Sequence, residues 1–178
     1  INWGNKVFLK SPKITIISQA DKKHDYKSPL VSSIVPCYNR KELLKRTIKS
    51  LISQTYLNHQ IIFVDDGSTQ ILESFIKTQL RSFNGDWKII RISYNSGPGI
   101  ARKIGMQNSD GKFIQFLDSD DEALPNKISE QVKTLESNKK LLMTYGTTLV
   151  GKEDENMVIL GRTNKIKQKI APLFPYYV

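Results

Sequence analysis

From Leu30 to Tyr145, short apolar runs alternate with stretches in which apolar residues recur every three or four positions. The runs are Val31–Cys37, Ile61–Val64, Lys88–Ser93, Phe113–Leu117 and Leu141–Tyr145. Between them, Lys41–Gln54 carries Leu43, Leu44, Ile48, Leu51 and Ile52 on one helical face. Gln70–Phe83 carries Ile71, Leu72, Phe75, Ile76 and Leu80 in phase. Ile100–Asn108 and Pro125–Ser137 read as two further helices, the second with Pro125 near its first turn and Ile128, Val132 and Leu135 inward. Asn39 reads as the N-cap of the first helix, with Glu42 three residues on as in a capping box. Strands alternating with helices require βαβ units, so the fold class is α/β, a Rossmann-like, mostly parallel sheet with helices on both faces.

The rhythm sets the domain limits. Residues 1–29 read as a lead-in with one strand near Ile14–Ile17 and a polar linker, 30–150 as the main domain, and 151–178 as the start of a further region. In that region Gly151–Asn156 reads as a polar turn, Met157–Leu160 as a strand and Pro172–Val178 as an unclosed aromatic tail, so the chain reads as cut at that end, and at Ile1 as well. There is no run of 18 apolar residues, hence no membrane span, and no basic-then-apolar signal pattern at the N-terminus. The one cysteine, Cys37, cannot form an intrachain disulfide, fits a reducing compartment and reads as a core residue.

The net charge of +10 points to an anionic partner. The basic residues are scattered lysines without aromatic interleaving, densest at Arg162–Lys169, so nucleic acid is not the expected partner. Anionic substrates and peripheral contact with an anionic membrane both stay open. His24 and His59 lie in polar stretches without a ligand-spaced partner and read as surface residues.

Three strand ends carry the chemistry: Pro36-Cys37-Tyr38-Asn39-Arg40, Asp65-Asp66-Gly67-Ser68, and Asp118-Ser119-Asp120-Asp121-Glu122. In a parallel sheet these ends share one edge, where ligands of open α/β folds bind. Crowded carboxylates there call for a hard dication, and Mg²⁺ typically takes one or two carboxylates plus substrate phosphates. An EF-hand fits poorly, because counting from Asp118 puts Ala123 at the glycine position and Ser129 at the glutamate position. A nucleoside diphosphate would suit the rest. Asp66 can accept a base N–H, Tyr38 can stack on the base, Pro36 can shape the turn, Asp118 can reach a ribose hydroxyl and Asp120 can hold the metal, with Asn39 and Asp65 beside them. Asn95-Ser96-Gly97-Pro98-Gly99 leads into a helix bearing Arg102 and Lys103, a fixed cation at an anion-favouring helix start. It lacks the third glycine of a dinucleotide fingerprint, which argues against an NAD fold. The plainer alternatives are that Asp65, Asp66 and Gly67 form a turn and helix cap, that Tyr38 is core, and that the acids form a solvated loop.

Val31–Arg40, Ile61–Thr69, Asn95–Gly105 and Phe113–Pro125 together resemble the nucleotide-sugar-binding half of the family 2 glycosyltransferases, which have the GT-A fold. The resemblance covers about Pro29 to Gly146. It implies base binding by Pro36, Tyr38, Asp66 and Arg102, and an Asp-x-Asp motif at Asp118-Ser119-Asp120 with Asp120 as metal ligand. It also implies a cytoplasmic-facing, inverting enzyme that uses Mg²⁺ or Mn²⁺ and a nucleotide-diphosphate sugar, usually a UDP-sugar, with a glycan or other hydroxyl acceptor in surface polysaccharide or glycoprotein glycan assembly. No catalytic base matches, and Glu153, Asp154 and Glu155 sit in a turn-like stretch and are not assigned. A nucleotidyltransferase and a non-catalytic nucleotide-binding module are the rival readings. The first would carry a Gly-rich phosphate loop where this chain has Pro36–Arg40.

Overall fold

Successive strand residues point to opposite faces of a sheet, and here both faces are apolar, so the core has two layers. The computed structural model describes residues 11–20, 27–146, 149–151 and 159–162. His24, the acids at 153–155 and the tail at 172–178 lie outside them. The elements are β1 (Ile14–Ala20), β2 (Val31–Cys37), α1 (Lys41–Ile52), β3 (His59–Asp66), α2 (Glu73–Gln79), β4 (Asp86–Ile92), α3 (Pro98–Gln107), β5 (Phe113–Phe116), α4 (Lys127–Ser137), β6 (Leu149–Gly151) and β7 (Ile159–Arg162).

Five strands form one sheet in the order β1-β4-β3-β2-β5. The four from β2 to β5 are parallel, and β1, from within the expected lead-in, adds an antiparallel edge strand on β4. The chain steps from β2 to β3 to β4, then returns across the sheet to place β5 on the far side of β2. That reversal opens a crevice beyond the carboxyl ends of β2 and β5, the usual ligand position in open α/β sheets.

The two core layers follow strand parity. Val35, Cys37, Ile61, Phe63 and Ile89 meet Leu44, Ile48 and Leu51 of α1 and Ile76 of α2 on one face. Ile34, Ile62, Val64, Ile90 and Ile92 meet Ala101 and Ile104 of α3 on the other. Strands buried on both faces read as continuous apolar runs, which explains why Val31–Cys37 and Ile61–Val64 show little alternation in sequence. α3 sits so close that a Cβ on Gly105 would lie 2.4 Å from Ile34 Cγ2.

The main departures from the sequence reading have physical causes. The second helix is shorter than Gln70–Phe83, since α2 is followed by a 3₁₀ turn at Leu80–Ser82. Leu141–Tyr145 is not a strand, and Leu142 and Met143 are exposed; an apolar run without a ladder partner has nothing to make it extend as a strand. Asn39 does not cap α1. Arg40 holds the cap position without a side-chain cap bond, while Asn39 adopts φ +51°, which asparagine tolerates better than most residues.

His59 is 2% exposed rather than on the surface. It starts β3, contacts Phe83 edge-on at 5.8 Å, and its Nε2 lies 2.7 Å from Ser33 Oγ. Burial pulls its pKa down to about 3, so the ring is neutral. Cys37 is buried as expected, and burial, then Asp65, pushes its thiol pKa far up, which makes it a poor nucleophile.

A second compact unit spans Ser129–Val178. It carries most of α4 and an antiparallel hairpin of β6 and β7. Among the described residues no helix is long and apolar enough to cross a membrane.

Candidate nucleotide site

Parallel pairing in register sets the ends of β2 and β3 level, with Cys37 opposite Asp65. Near the end of β2 Pro36 is partly buried, and just beyond the strand Tyr38 is 42% exposed, so its ring is open to a ligand and is not core. Asn39 turns sideways. Its N–H donates to Ser68 Oγ at 3.0 Å, and its side-chain oxygen accepts from Thr69 N at 2.9 Å and Thr69 Oγ1 at 3.0 Å. The ends of β2 and β3 are thereby tied together.

Asp65 and Asp66 are adjacent on β3 and leave on opposite faces. Asp65 is 1% exposed. It accepts from Ser68 N at 3.0 Å and is ion-paired with Arg91 of β4, which also donates to the Ser68 carbonyl at 2.8 Å. Asp66 is also buried, and its two oxygens accept from Ser96 N and Gly97 N, each at 2.8 Å. It therefore fixes the loop that leads into α3. Gly67 is required directly after them. It has φ +71°, and a Cβ there would meet the backbone of Tyr94 at 2.5 Å.

The acid loop follows β5. The Leu117 N–H still donates to Ile34, and a turn closes from Asp121 N to Asp118 O at 3.1 Å. Asp118 is ion-paired with Arg102 of α3, and Asp120 with Arg40 at the start of α1. Asp121 is drawn towards its protonated form, first by burial and then by Asp120 and Asp118. Like charges are thus crowded within one turn.

Sequence reading missed the residues that hold this loop. Gln54, just past α1, is buried. Its Nε2 donates to the carbonyls of Ala123 and Leu124 at 3.3 and 2.8 Å, and its Oε1 accepts from Ile128 N at 3.2 Å. Ser50 Oγ accepts from Ala123 N at 3.0 Å, and Arg46 Nε donates to Glu122 Oε1 at 2.8 Å. A glutamine two residues past an amphipathic helix gives no sequence signal, because the loop it binds lies some 70 positions on.

The structure thus brings Tyr38, Asn39, Arg40, Asp66, Arg102, Asp118 and Asp120 to one edge of the sheet, beside the β2–β5 reversal. Among the described residues no three His, Cys, Asp or Glu side chains converge as a ready-made metal cage. The donor set still suits a hard dication. Asp118 and Asp120 are oxygen donors at 46% and 39% side-chain exposure, each now balanced by a guanidinium.

The family profile for "Glycosyl transferase family 2" matches residues 32–174. An "Uncharacterized glycosyltransferase" of Haemophilus influenzae is 35% identical over 141 residues, covering 77% of this chain and 54% of that protein. A "GalNAc(5)-diNAcBac-PP-undecaprenol beta-1,3-glucosyltransferase" of Campylobacter jejuni is 30% identical over 125 residues, covering 70% of this chain and 40% of that one. Among solved structures, S. aureus TarS 1-349 in complex with UDP-GlcNAc superposes with TM-score 0.56 at 26% identity, over 61% of this chain and 31% of that chain. The mannosyltransferase PcManGT from Pyrobaculum calidifontis, in complex with GDP-Man and Mn2+, superposes with TM-score 0.51 at 22% identity over 60% of this chain and 31% of that one, a likeness of fold. The chain spans about half or less of the length of these relatives.

Proposed function

The chain belongs to glycosyl transferase family 2 and has the GT-A fold of its structural neighbours, and from that premise we propose that residues 30–150 bind a nucleotide-diphosphate sugar, a UDP-sugar by preference. The observation that carries this reading is the meeting of one open aromatic ring, two arginines and the acid pair Asp118 and Asp120 at the sheet reversal. The base stacks on Tyr38, with Pro36 shaping the wall. Asp66 accepts a base N–H, since each of its oxygens keeps a lone pair beyond the bonds to Ser96 and Gly97. Arg102 faces the diphosphate. Asn39 and Asp65 act by holding the strand ends in place. The uridine preference draws on TarS, solved with UDP-GlcNAc.

Asp118 and Asp120 would hold Mg²⁺ or Mn²⁺, which when bound supplies positive charge to the departing diphosphate. Transfer is inverting. The acceptor hydroxyl oxygen attacks the anomeric carbon, the bond from that carbon to the phosphate oxygen breaks, and the diphosphate leaves with the electron pair. The hydroxyl proton goes to a carboxylate base, which we place beyond the donor site, in the acceptor-side region that begins near 151. The acceptor is a glycan or another hydroxyl compound, and polysaccharide or glycan assembly at the cytoplasmic face of a membrane is the setting. The net charge of +10 supports that setting, as does the undecaprenol-linked compound in the name of the Campylobacter relative.

Calorimetric titration with UDP, with and without Mn²⁺, tests the reading, with GDP and ADP as controls. The expected result is Mn²⁺-dependent binding of UDP ahead of both controls. Equal binding of all three removes the uridine preference. Pyrophosphate release from a nucleoside triphosphate and a sugar phosphate would instead support a nucleotidyltransferase.

A further inference from the structure

The two acids assigned to the dication are not bare. Asp120 is ion-paired with Arg40, and Asp118 with Arg102. Two guanidiniums therefore cancel two carboxylates, and a dication binding those carboxylates does the same job with its own two charges. Once it binds, both arginines are left as surplus cations beside the place proposed for a diphosphate. We infer that Arg40 is a stand-in counter-ion: it holds Asp120 until the dication arrives, then turns to the diphosphate oxygens. This inference rests on the donor-site reading above.

Several features single out Arg40 for this part. It stands at the cap position of α1, where its guanidinium, a donor only, makes no cap bond. That side chain is 51% exposed, so it can reorient without disturbing the core. Half-exposed ion pairs contribute little to stability, so exchange is easy. Arginine keeps its charge at any accessible pH and its fork fits phosphate oxygens. The acid loop has anchors besides Arg40: Arg102 holds Asp118, and Gln54, Ser50 and Arg46 fasten the stretch from Glu122 to Ile128 that follows the acids. Arg40 is thus a donor-binding residue, and it competes with the metal in the unliganded protein.

The test uses the full chain with Arg40→Gln and, as the charge-keeping control, Arg40→Lys. Free Mn²⁺ is followed by electron paramagnetic resonance without nucleotide, then UDP binding is measured at saturating Mn²⁺. Without UDP, Arg40→Gln binds Mn²⁺ about three- to fivefold more tightly, the gain from removing an exposed competitor. At saturating Mn²⁺ the same variant binds UDP about tenfold more weakly, the loss of a charge-assisted bond to phosphate. Arg40→Lys stays within about twofold of the unsubstituted chain in the metal titration, because the charge remains. A purely structural arginine would move both affinities in the same direction or neither. Unchanged Mn²⁺ affinity in Arg40→Gln overturns the inference, as does unchanged UDP affinity or no Mn²⁺ uptake by any of the proteins. Failure of the unsubstituted chain to bind UDP overturns the donor-site reading by itself, and the nucleotide-free Mn²⁺ titration then reports separately on the competition.

Discussion

At the amino ends of the parallel strands, polar side chains close into a connected network, whereas beyond the carboxyl end of β5 Asp118 and Asp120 form ion pairs partly open to water. At the first edge, Ser32 Oγ donates to Gln60 Oε1 at 2.7 Å, and Gln60 Nε2 donates to Asp110 Oδ2 at 2.7 Å. Lys88 Nζ donates to the same Asp110 oxygen at 2.6 Å and to the Asn108 carbonyl at 3.1 Å. Gly111 N and Asp110 N complete the set by donating to Ser32 and Gln60. Donors match acceptors, and the loop from α3 into β5 is locked. At the second edge, acids crowd acids within one turn and part-exposed arginines balance them. The same residue types build structure where every group has an internal partner, and leave binding capacity where the partners can be exchanged.

Substitutions at the two edges should have opposite signatures. Asp120→Asn should cost about a hundredfold in Mn²⁺-dependent UDP affinity, by loss of a charged metal ligand. Its urea midpoint should stay close to the original, since an exposed pair contributes about 1 kcal/mol at most. A lowered midpoint with intact binding would reverse the assignment of the two edges.

Gln60→Leu should do the reverse. It strands the Ser32 hydroxyl and the Asp110 backbone N–H, which both donate to Gln60 Oε1, for about 2 kcal/mol of stability, while UDP affinity changes little. Urea unfolding and calorimetry on the same sample separate the two effects, and loss of UDP binding in a folded Gln60→Leu protein would join the edges into one site.

Acid sharpens the comparison further. His59 has a folded pKa of about 3, below the ordinary value of 6.5. The unfolded chain therefore binds its proton first, and stability is whole above about pH 6.5 and falls towards pH 3, by roughly 1.4 kcal/mol per unit. Urea midpoints at pH 7 and pH 5.5 measure this, and His59→Gln should flatten the difference. An equal fall in His59→Gln would put the acid sensitivity elsewhere.

The smallest effect belongs to Asp110. Its bonds to Lys88 and Gln60 hold its pKa below the usual carboxylate value, so its contribution is present above the unfolded pKa of about 4 and fades as pH falls through the folded value. The carboxylate is 60% exposed, so Asp110→Asn should cost under about 1 kcal/mol at pH 7, and less as pH falls through the folded value. A loss that does not shrink in acid would mean that the asparagine disturbs the loop itself.

Which polar residues belong to which edge was only partly legible. Asp118-Ser119-Asp120 and Asp65-Asp66-Gly67 stand out because charge follows directly on apolar runs, a local signal. Gln60, Lys88 and Asp110 carry none, since their bonds span 20 to 50 positions. His59 looked like a surface residue because its sequence neighbours are polar, yet burial depends on the strand it opens and on Phe83 packed against it.

The sequence by itself determined the α/β class, the strand β2, the approximate places of the helices and the three acid- or aromatic-tipped strand ends. All of these follow from periodicity and from residues adjacent in the chain. Only the tertiary structure decided that β5 crosses back beside β2, that β1 joins the sheet, and that Leu141–Tyr145 stays out of it. It also decided that Arg40 meets Asp120, 80 positions away. The reason is physical: a strand's ladder partner and a carboxylate's counter-ion are set by which segments pack together, and packing is settled by the whole chain at once.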